Sequence, residues 1–198
     1  MLRPVDELEK CLERLPGFGR RSASRAALAL VREPARLLVP LVSALSAARD
    51  EVRCCSRCGA FTTIDCDPCR FCTDETRDGT GLCVVEEPSD IISIESSGAF
   101  RGRYHALGGK LSPARHSGPD KLRFAELADR VQREGITEVL LALSTDMDGD
   151  ATAGYIAELL RSTGAKVTRL AFGLPADSGV AYSDPLTLRR AIKGRLNV

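Results

Sequence analysis

The stretch from Cys54 to Cys72 reads CCSRCGAFTTIDCDPCRFC and holds six of the chain's eight cysteines. Cysteines in Cys-x-x-Cys pairs bring thiolates toward one point, because a tight knuckle turn lets both sulfurs of a pair face a single ion. Two such pairs supply the four ligands of a tetrahedral zinc ion. The first pair is Cys55 with Cys58, and the second is either Cys69 with Cys72 or Cys66 with Cys69. Pro68 stiffens the approach to the last pair, and Cys58 and Cys69 leave ten residues for the crossing between knuckles. Both points favour Cys55, Cys58, Cys69 and Cys72 as a structural zinc site, against a reading of buried, incidental cysteines. The residues before the cluster have the pattern of a small helical unit and those after it the pattern of an α/β unit.

Composition limits what the rest can be. A chain of 198 residues with 43% hydrophobic and 28% charged residues is long enough for one good core, or two modest ones helped by a metal. No apolar run has the roughly 20 residues of a membrane span, and MLRPVDELEK carries acids where a signal peptide needs an apolar core. A cytoplasmic protein with no membrane association is expected. That compartment is reducing, so clustered cysteines there point to metal rather than disulfides. A net charge of +1 excludes a uniformly basic coat for nucleic acid and leaves local patches to find.

One such patch lies upstream. Val5, Leu8, Leu12 and Leu15 recur at helical spacing, and Leu15-Pro16-Gly17-Phe18-Gly19 then stops the helix and permits a tight turn. A second helix is expected over Arg20 to Val31. Its first N–H groups have no partner within the helix and point outward at the positive end of its dipole, where a phosphate can accept their hydrogen bonds. Between Arg14 and Arg36 stand six arginines and one acid, Glu33, a local balance of +5. Arg21 and Arg25 share a helical face. Contacts of this kind hold a DNA backbone without reading sequence. The competing reading is a helical hairpin with a solvated basic face. A third helix is expected from Pro34 to about Val52, with Leu37, Leu38, Leu41, Val42, Leu45 and Ala48 as a buried stripe.

Beyond the cysteines the rhythm becomes α/β. Strands are expected at Leu82–Val85, Tyr104–Leu107, Val139–Leu143 and Val167–Ala171. Helices are expected at Asp90–Glu95, capped by Ser89, at Asp120–Glu134, at Ala151–Ser162 and at Leu186–Gly194. This alternation predicts a mostly parallel sheet with helices on both faces. The glycine- and proline-rich connector Gly108 to Pro119 is long for a compact domain and reads as a functional or mobile loop. In such sheets sites form at the carboxyl ends of strands, where Glu86, Asp148 and Asp150 fall. Three carboxylates converging there would suit Mg²⁺, and solvated acids at a helix start are the other reading.

These features in this order make the chain similar to the bacterial recombination mediator family RecR. They are Leu15-Pro-Gly-Phe-Gly19 with Arg21 and Arg25, the cysteine pairs, Cys83-Val-Val-Glu86 and Gly149-Asp-Ala-Thr152. Phe100-Arg-Gly-Arg-Tyr104, Leu111-Ser-Pro113, Gly173-Leu-Pro175, Thr187-Leu188 and Gly194-Arg195 extend the resemblance over essentially the whole chain. It implies a helix-hairpin-helix DNA-binding region at 1–53 and a four-cysteine zinc finger at 54–76. A Toprim domain at 77–175 and a C-terminal assembly segment at 176–198 would follow. It also implies a nucleoid-associated, non-enzymatic homo-oligomer, dimer or tetramer, that acts with RecO and RecF to load RecA on single-stranded DNA. By position it puts DNA contacts on Gly17, Gly19, Arg21 and Arg25, zinc on Cys55, Cys58, Cys69 and Cys72, and partner contact on Glu86, Asp148 and Asp150.

Arg21 replaces the family's usual lysine and keeps the charge. Asp146-Met-Asp-Gly-Asp150 departs toward the aspartate pair of Toprim enzymes, which keeps metal-dependent phosphoryl transfer as the alternative function. Such an enzyme would need a nucleophile, and the chain's tyrosines are Tyr104, Tyr155 and Tyr182.

Overall fold

The structure, a computed structural model, describes residues 2–171, 180 and 183–194. The chain divides into two compact units, Met1–Val52 and Arg53–Val198. The sequence features at Gly173–Pro175 and at Arg195 lie outside the described residues.

The first unit contains α1 (Arg3–Glu13), α2 (Arg20–Arg32), a π-helical turn at Pro34–Leu38 and α3 (Val39–Glu51). Ala23, Ala27 and Leu30 fall at i, i+4 and i+7, so α2 turns one narrow stripe inward, and the two alanines are fully buried. Their methyl groups allow α1 and α2 to approach closely. Ser24 Oγ donates to Glu9 Oε1 across the pair at 2.9 Å. The turn between the helices depends on Gly17, whose φ of +83° is disfavoured for residues with a Cβ.

The expected buried stripe of the third helix is absent. No residue of α3 is buried, and Leu41, Val42 and Leu45 are 38, 54 and 61% exposed, with Ala48 also exposed. The π-helical turn, not α3, packs on α2, so only Leu37 and Leu38 are half-buried. An apolar stripe is buried only where something covers it, and the described residues of this unit leave every residue of α3 unburied.

In the second unit β1 (Val52–Cys54) and β2 (Phe61–Thr63) form a two-stranded sheet, followed by the single turn α4 (Arg70–Thr73). Then come β3 (Asp78–Val85), α5 (Pro88–Ser97), β4 (Gly102–Ala106), α6 (Phe124–Arg133), β5 (Glu138–Ala142), α7 (Met147–Leu159), β6 (Lys166–Arg169) and α8 (Pro185–Lys193). The main sheet is wholly parallel in the order β4-β3-β5-β6, with Val84 opposite both His105 and Leu141.

β3 is central and buried on both faces, hence its unbroken apolar run. Leu82 and Val84 join Val139, Leu141, Leu127, Val131 and Ile156 in one core. Cys83 and Val85 join Tyr104, Ala106, Ile91 and the four cysteines of the cluster in the other. Burial of each such Leu, Val or Ile contributes about 1.5–3 kcal/mol. The cysteine cluster therefore serves as part of the cover of one sheet face, beside α5.

Three helix starts differ from expectation. The helix after β3 begins at Pro88 and is capped by Glu87, not Ser89: Glu87 and Asp90 form a reciprocal capping box, with Glu87 N donating to Asp90 Oδ2 at 2.8 Å. The expected Asp120–Glu134 helix is a 3₁₀ turn at Pro119–Lys121 followed by α6. α7 starts at Met147 rather than Ala151, because Asp146 caps it by accepting from Gly149 N at 2.8 Å. That cap pulls Asp148 and Asp150 into the first helical turn.

Candidate functional site

In the first unit the start of α2 is open. Its N-cap is Gly19, no side chain caps it, and Ser22 Oγ instead donates to the Gly19 carbonyl at 2.8 Å. The outward N–H groups of the first turn are left for an external acceptor. Arg20, Arg21 and Arg25 are exposed around this end. Among the described residues Arg14, Arg20, Arg21, Arg25 and Arg32 have no ion pair, whereas Arg36 pairs with Glu33. The result is an uncompensated cationic face beside unsatisfied backbone donors.

In the second unit Cys55, Cys58, Cys69 and Cys72 are buried, and their Sγ atoms all lie within 4.8 Å of one another. Cys54 and Cys66 are exposed and outside the group. A tetrahedral zinc ion would set its thiolates about 3.8 Å apart, so this donor set fits one. The backbone is arranged for thiolates too: Ala60 N donates to Cys58 Sγ at 3.4 Å and Cys69 N to Cys55 Sγ at 3.3 Å. Hydrogen bonding with Cys58 and Cys72 favours the Cys69 thiolate, whereas hydrogen bonding with Cys69 and Cys72, together with burial, pushes the Cys58 thiol up. Four thiolates in one pocket repel, and a cation is what lets all of them ionise.

Side chains from the parallel sheet and α6 hold this group, and the sequence reading missed them. Arg123 donates to the carbonyls of Cys55 at 3.2 Å and Ser56 at 2.9 Å. Arg57, inside the first knuckle, donates to Glu134 at 2.8 Å and to the Cys72 carbonyl at 3.3 Å. Glu134 also accepts from Arg103 at 2.7 Å and Arg130 at 2.9 Å. Burial would raise the Glu134 carboxyl, but the Arg57 hydrogen bond and the neighbouring Arg130 and Arg103 outweigh it and hold it down at about 2. Arg57 and Glu134 are 77 residues apart, so no local pattern announces the pair.

At the strand ends the acids are not brought together. Among the described residues the only group of three or more His, Cys, Asp or Glu with converging ligand atoms is the cysteine group. The structure does not gather the ligand atoms of Glu86, Asp148 and Asp150 as it gathers those of the cysteines, and cations of the chain stand beside Glu86 and Asp150. Lys110 Nζ lies 2.5 Å from Asp146 Oδ2, 2.8 Å from Ser144 Oγ and 3.7 Å from Glu86 Oε2. The Asp146 hydrogen bond raises the Lys110 ammonium above its ordinary range, and Lys110 in turn holds Asp146 down at about 2. Asp150 pairs with Arg169 at 2.6 Å and with Arg190 of α8 at 3.1 Å. Glu86 Oε1 accepts from Ser144 N at 2.7 Å. Gly149 is required by close approach, since a Cβ there would meet Ser144 O at 2.2 Å. Asp148 is half-exposed, and its charge is among those that raise the Lys110 ammonium. The Asp146 cap was not read from the sequence, which placed the helix start at Ala151. Nor was Lys110, 36 residues from Asp146.

The two described tyrosines make contacts elsewhere. Tyr104 is buried and donates to Glu95 at 2.5 Å, while Tyr155 stacks on Phe124 with ring centroids 4.7 Å apart. Tyr182 lies outside the described residues.

Comparison with known proteins agrees with this architecture. Residues 80–171, spanning the parallel sheet, match the family model of the Toprim domain, which makes this a Toprim-class α/β protein. Residues 5–49 match the model described as RecR, helix-hairpin-helix. Recombination protein RecR of Thermobifida fusca is 47% identical over 191 residues, covering 96% of this chain and 95% of the relative. That of Moorella thermoacetica is 45% identical over 192 residues, covering 97% and 96%, and that of Desulfatibacillum aliphaticivorans 44% over 188 residues, covering 95% and 94%. The chain belongs to the RecR family. Among the described residues no helix is long and apolar enough to cross a membrane.

Proposed function

We propose that this chain is a non-enzymatic, DNA-binding recombination mediator of DNA repair, working in the bacterial cytoplasm at the nucleoid. The observation that carries the reading is the start of α2. An uncapped helix N-terminus stands next to arginines without acidic partners, and their common ligand is a chain of phosphates. Gly19 supports it further. Its φ of −90° suits any residue and a Cβ there would meet nothing within 4 Å, so the chain's own packing does not demand glycine. A backbone approaching from outside does. In this reading Gly17 shapes the hairpin, Gly19 leaves room for the approaching DNA backbone, and Arg21 and Arg25 supply the charge.

Zinc is the metal proposed for Cys55, Cys58, Cys69 and Cys72, in a structural role, because four buried thiolates with no open position suit a closed site. In functional terms the division is a DNA-binding region at 1–53, a zinc finger at 54–76, a Toprim domain at 77–175 and an assembly segment at 176–198. Self-assembly is supported by the uncovered face of α3, where Val39, Val42 and Leu45 are each more than half exposed. Asp148 is the acid left open for a basic protein partner, and family resemblance makes that partner RecO, with RecF and RecA loading on single-stranded DNA further along. Toprim phosphoryl transfer is disfavoured because Glu86 and Asp150 already engage the chain's own donors.

The test is DNA binding by Arg21→Ala/Arg25→Ala, followed by fluorescence anisotropy across salt. Each lost phosphate contact should lower the slope of log K against log salt by roughly 0.7 on single strands, and affinity at low salt should fall about tenfold or more. Light scattering on the same samples should show a dimer or larger. Unchanged affinity and slope would remove the hairpin assignment, and a monomer with and without DNA would remove the assembly.

A further inference from the structure

We propose that Lys110 is a tethered replacement for the divalent cation of the Toprim acids: its ammonium occupies the place among Asp146, Ser144 and Glu86 that a hard metal ion would take, and excludes Mg²⁺. Two oxygens accept hydrogen bonds from the ammonium, and a carboxylate oxygen stands at ion-pair distance. Nζ has Asp146 Oδ2 at 2.5 Å, Ser144 Oγ at 2.8 Å and Glu86 Oε2 at 3.7 Å. These oxygens come from the loop after β5 and from the end of β3, the carboxyl strand ends at which open parallel sheets gather ligands. Lys110 reaches them from the connector after β4, and its side chain is only 17% exposed, so the charge is lodged rather than dangling.

The remaining acids reinforce the exclusion. Asp150 is held by Arg169 and Arg190, and Arg190 also donates to the Thr145 carbonyl. The other oxygen of Glu86 is taken by Ser144 N at 2.7 Å. Three acids, Glu86, Asp146 and Asp150, thus face three cations, Lys110, Arg169 and Arg190. Mg²⁺ demands near-octahedral oxygen geometry at about 2.1 Å and gives up its waters reluctantly. To enter it would have to displace an ammonium already hydrogen-bonded to its ligands. The same contacts give the acids a different use. They tie the connector 108–119 and α8 to the start of α7, so the strand ends act as an internal socket for the chain's own cations.

The inference is separable from DNA binding, which is read in the other unit by its own variants. The experiment follows Mn²⁺ by electron paramagnetic resonance with zinc-loaded wild-type protein, Lys110→Met and Lys110→Met/Asp146→Asn. Wild type should leave the aqueous Mn²⁺ signal intact to millimolar concentration. Lys110→Met should take up Mn²⁺ at least tenfold more tightly than wild type, and the double variant should lose that gain. Wild-type protein that binds Mn²⁺ below millimolar, with loss on Asp146→Asn, would overturn the proposal. So would a folded Lys110→Met, judged by zinc content and circular dichroism, that gains no Mn²⁺. Should Lys110→Met not fold, Lys110→Gln, which keeps a hydrogen-bond donor, is read against the same two outcomes.

Discussion

His105 sits fully buried on β4, with Nε2 2.9 Å from the Arg123 carbonyl and, among the described residues, no hydrogen-bond partner for Nδ1. Burial pushes its pKa down to about 3, against the opposing hydrogen bond to Arg123, and the charges of Arg130 and Arg123 add to the depression. The unfolded imidazole titrates near its ordinary value of about 6.5. Between these pH values the unfolded chain binds a proton that the folded chain refuses, so this contribution to stability is present above about 6.5 and is lost as pH falls toward 3. The slope reaches about 1.4 kcal/mol per pH unit. His105→Gln should flatten the fall in urea midpoint between pH 6.5 and 4.5 relative to wild type. The comparison between the two proteins isolates the imidazole from the cysteines, whose protonation also weakens the metal centre. Parallel curves for the two would show that His105 is not the group refusing the proton. Glu134, held at about 2, adds a second loss with the same sign at lower pH, since a depressed carboxyl stabilises above about 4.5 and less as pH falls through its folded value.

At the scale of the element, the start of α2 separates stability from function. Gly→Ser at a helix N-cap adds a side-chain acceptor for the first-turn N–H groups and stabilises by a few tenths of a kcal/mol. In Gly19→Ser that hydroxyl would compete for the donors proposed to meet phosphate. Expected are an unchanged or slightly raised melting temperature and DNA affinity lowered by about tenfold, the value of one charge-assisted hydrogen bond. If affinity held while stability rose, the first-turn amides would not be the contact. α7 shows how a single capping residue moves a site. Ser144-Thr-Asp146 reads as a loop by hydrophobic pattern, but the Asp146 cap starts the helix at Met147 and sets the acids on its first turn. α3 shows the reverse case, a correct apolar pattern that the described residues of its own unit leave unburied.

At the scale of the whole molecule, the cysteine centre is part of the core of the second unit. Cys55, Cys58, Cys69 and Cys72 pack in one cluster with Cys83, Val85 and Tyr104, and Ala106 N donates to the Cys58 carbonyl at 2.7 Å. A structural zinc of this kind contributes on the order of 10 kcal/mol to folding, comparable to a domain's net stability. Chelation should therefore expose β3 and β4 to amide hydrogen exchange, rather than fraying the cysteine segment alone. Ala23 and Ala27 bury in the first unit without any of these cysteines, so α1 and α2 should stay protected. A sheet that keeps its protection after complete loss of metal would show the centre to be dispensable.

Much of this molecule was legible in the chain because the signals are local. Cys-x-x-Cys spacing is a property of one knuckle, the glycines and arginines of Leu15–Arg25 act within a turn and a half of helix, and the apolar run Leu82–Val85 is that of a strand buried on both faces. The sequence by itself determined the order of the elements, the parallel α/β class and which cysteines had the right spacing. Only the tertiary structure decided what surrounds them. It excluded Cys54 and Cys66 from the group, set Arg123, Arg57 and Glu134 around the metal centre, and put Lys110, Arg169 and Arg190 among the acids. Those pairings span 19 to 77 residues, and a charge seen along the chain carries no mark of the opposite charge that folding will bring to it. In sequence the acids read equally well as a metal site or as solvated acids at a helix start, and in the fold Lys110 pairs with Asp146, and Arg169 and Arg190 with Asp150.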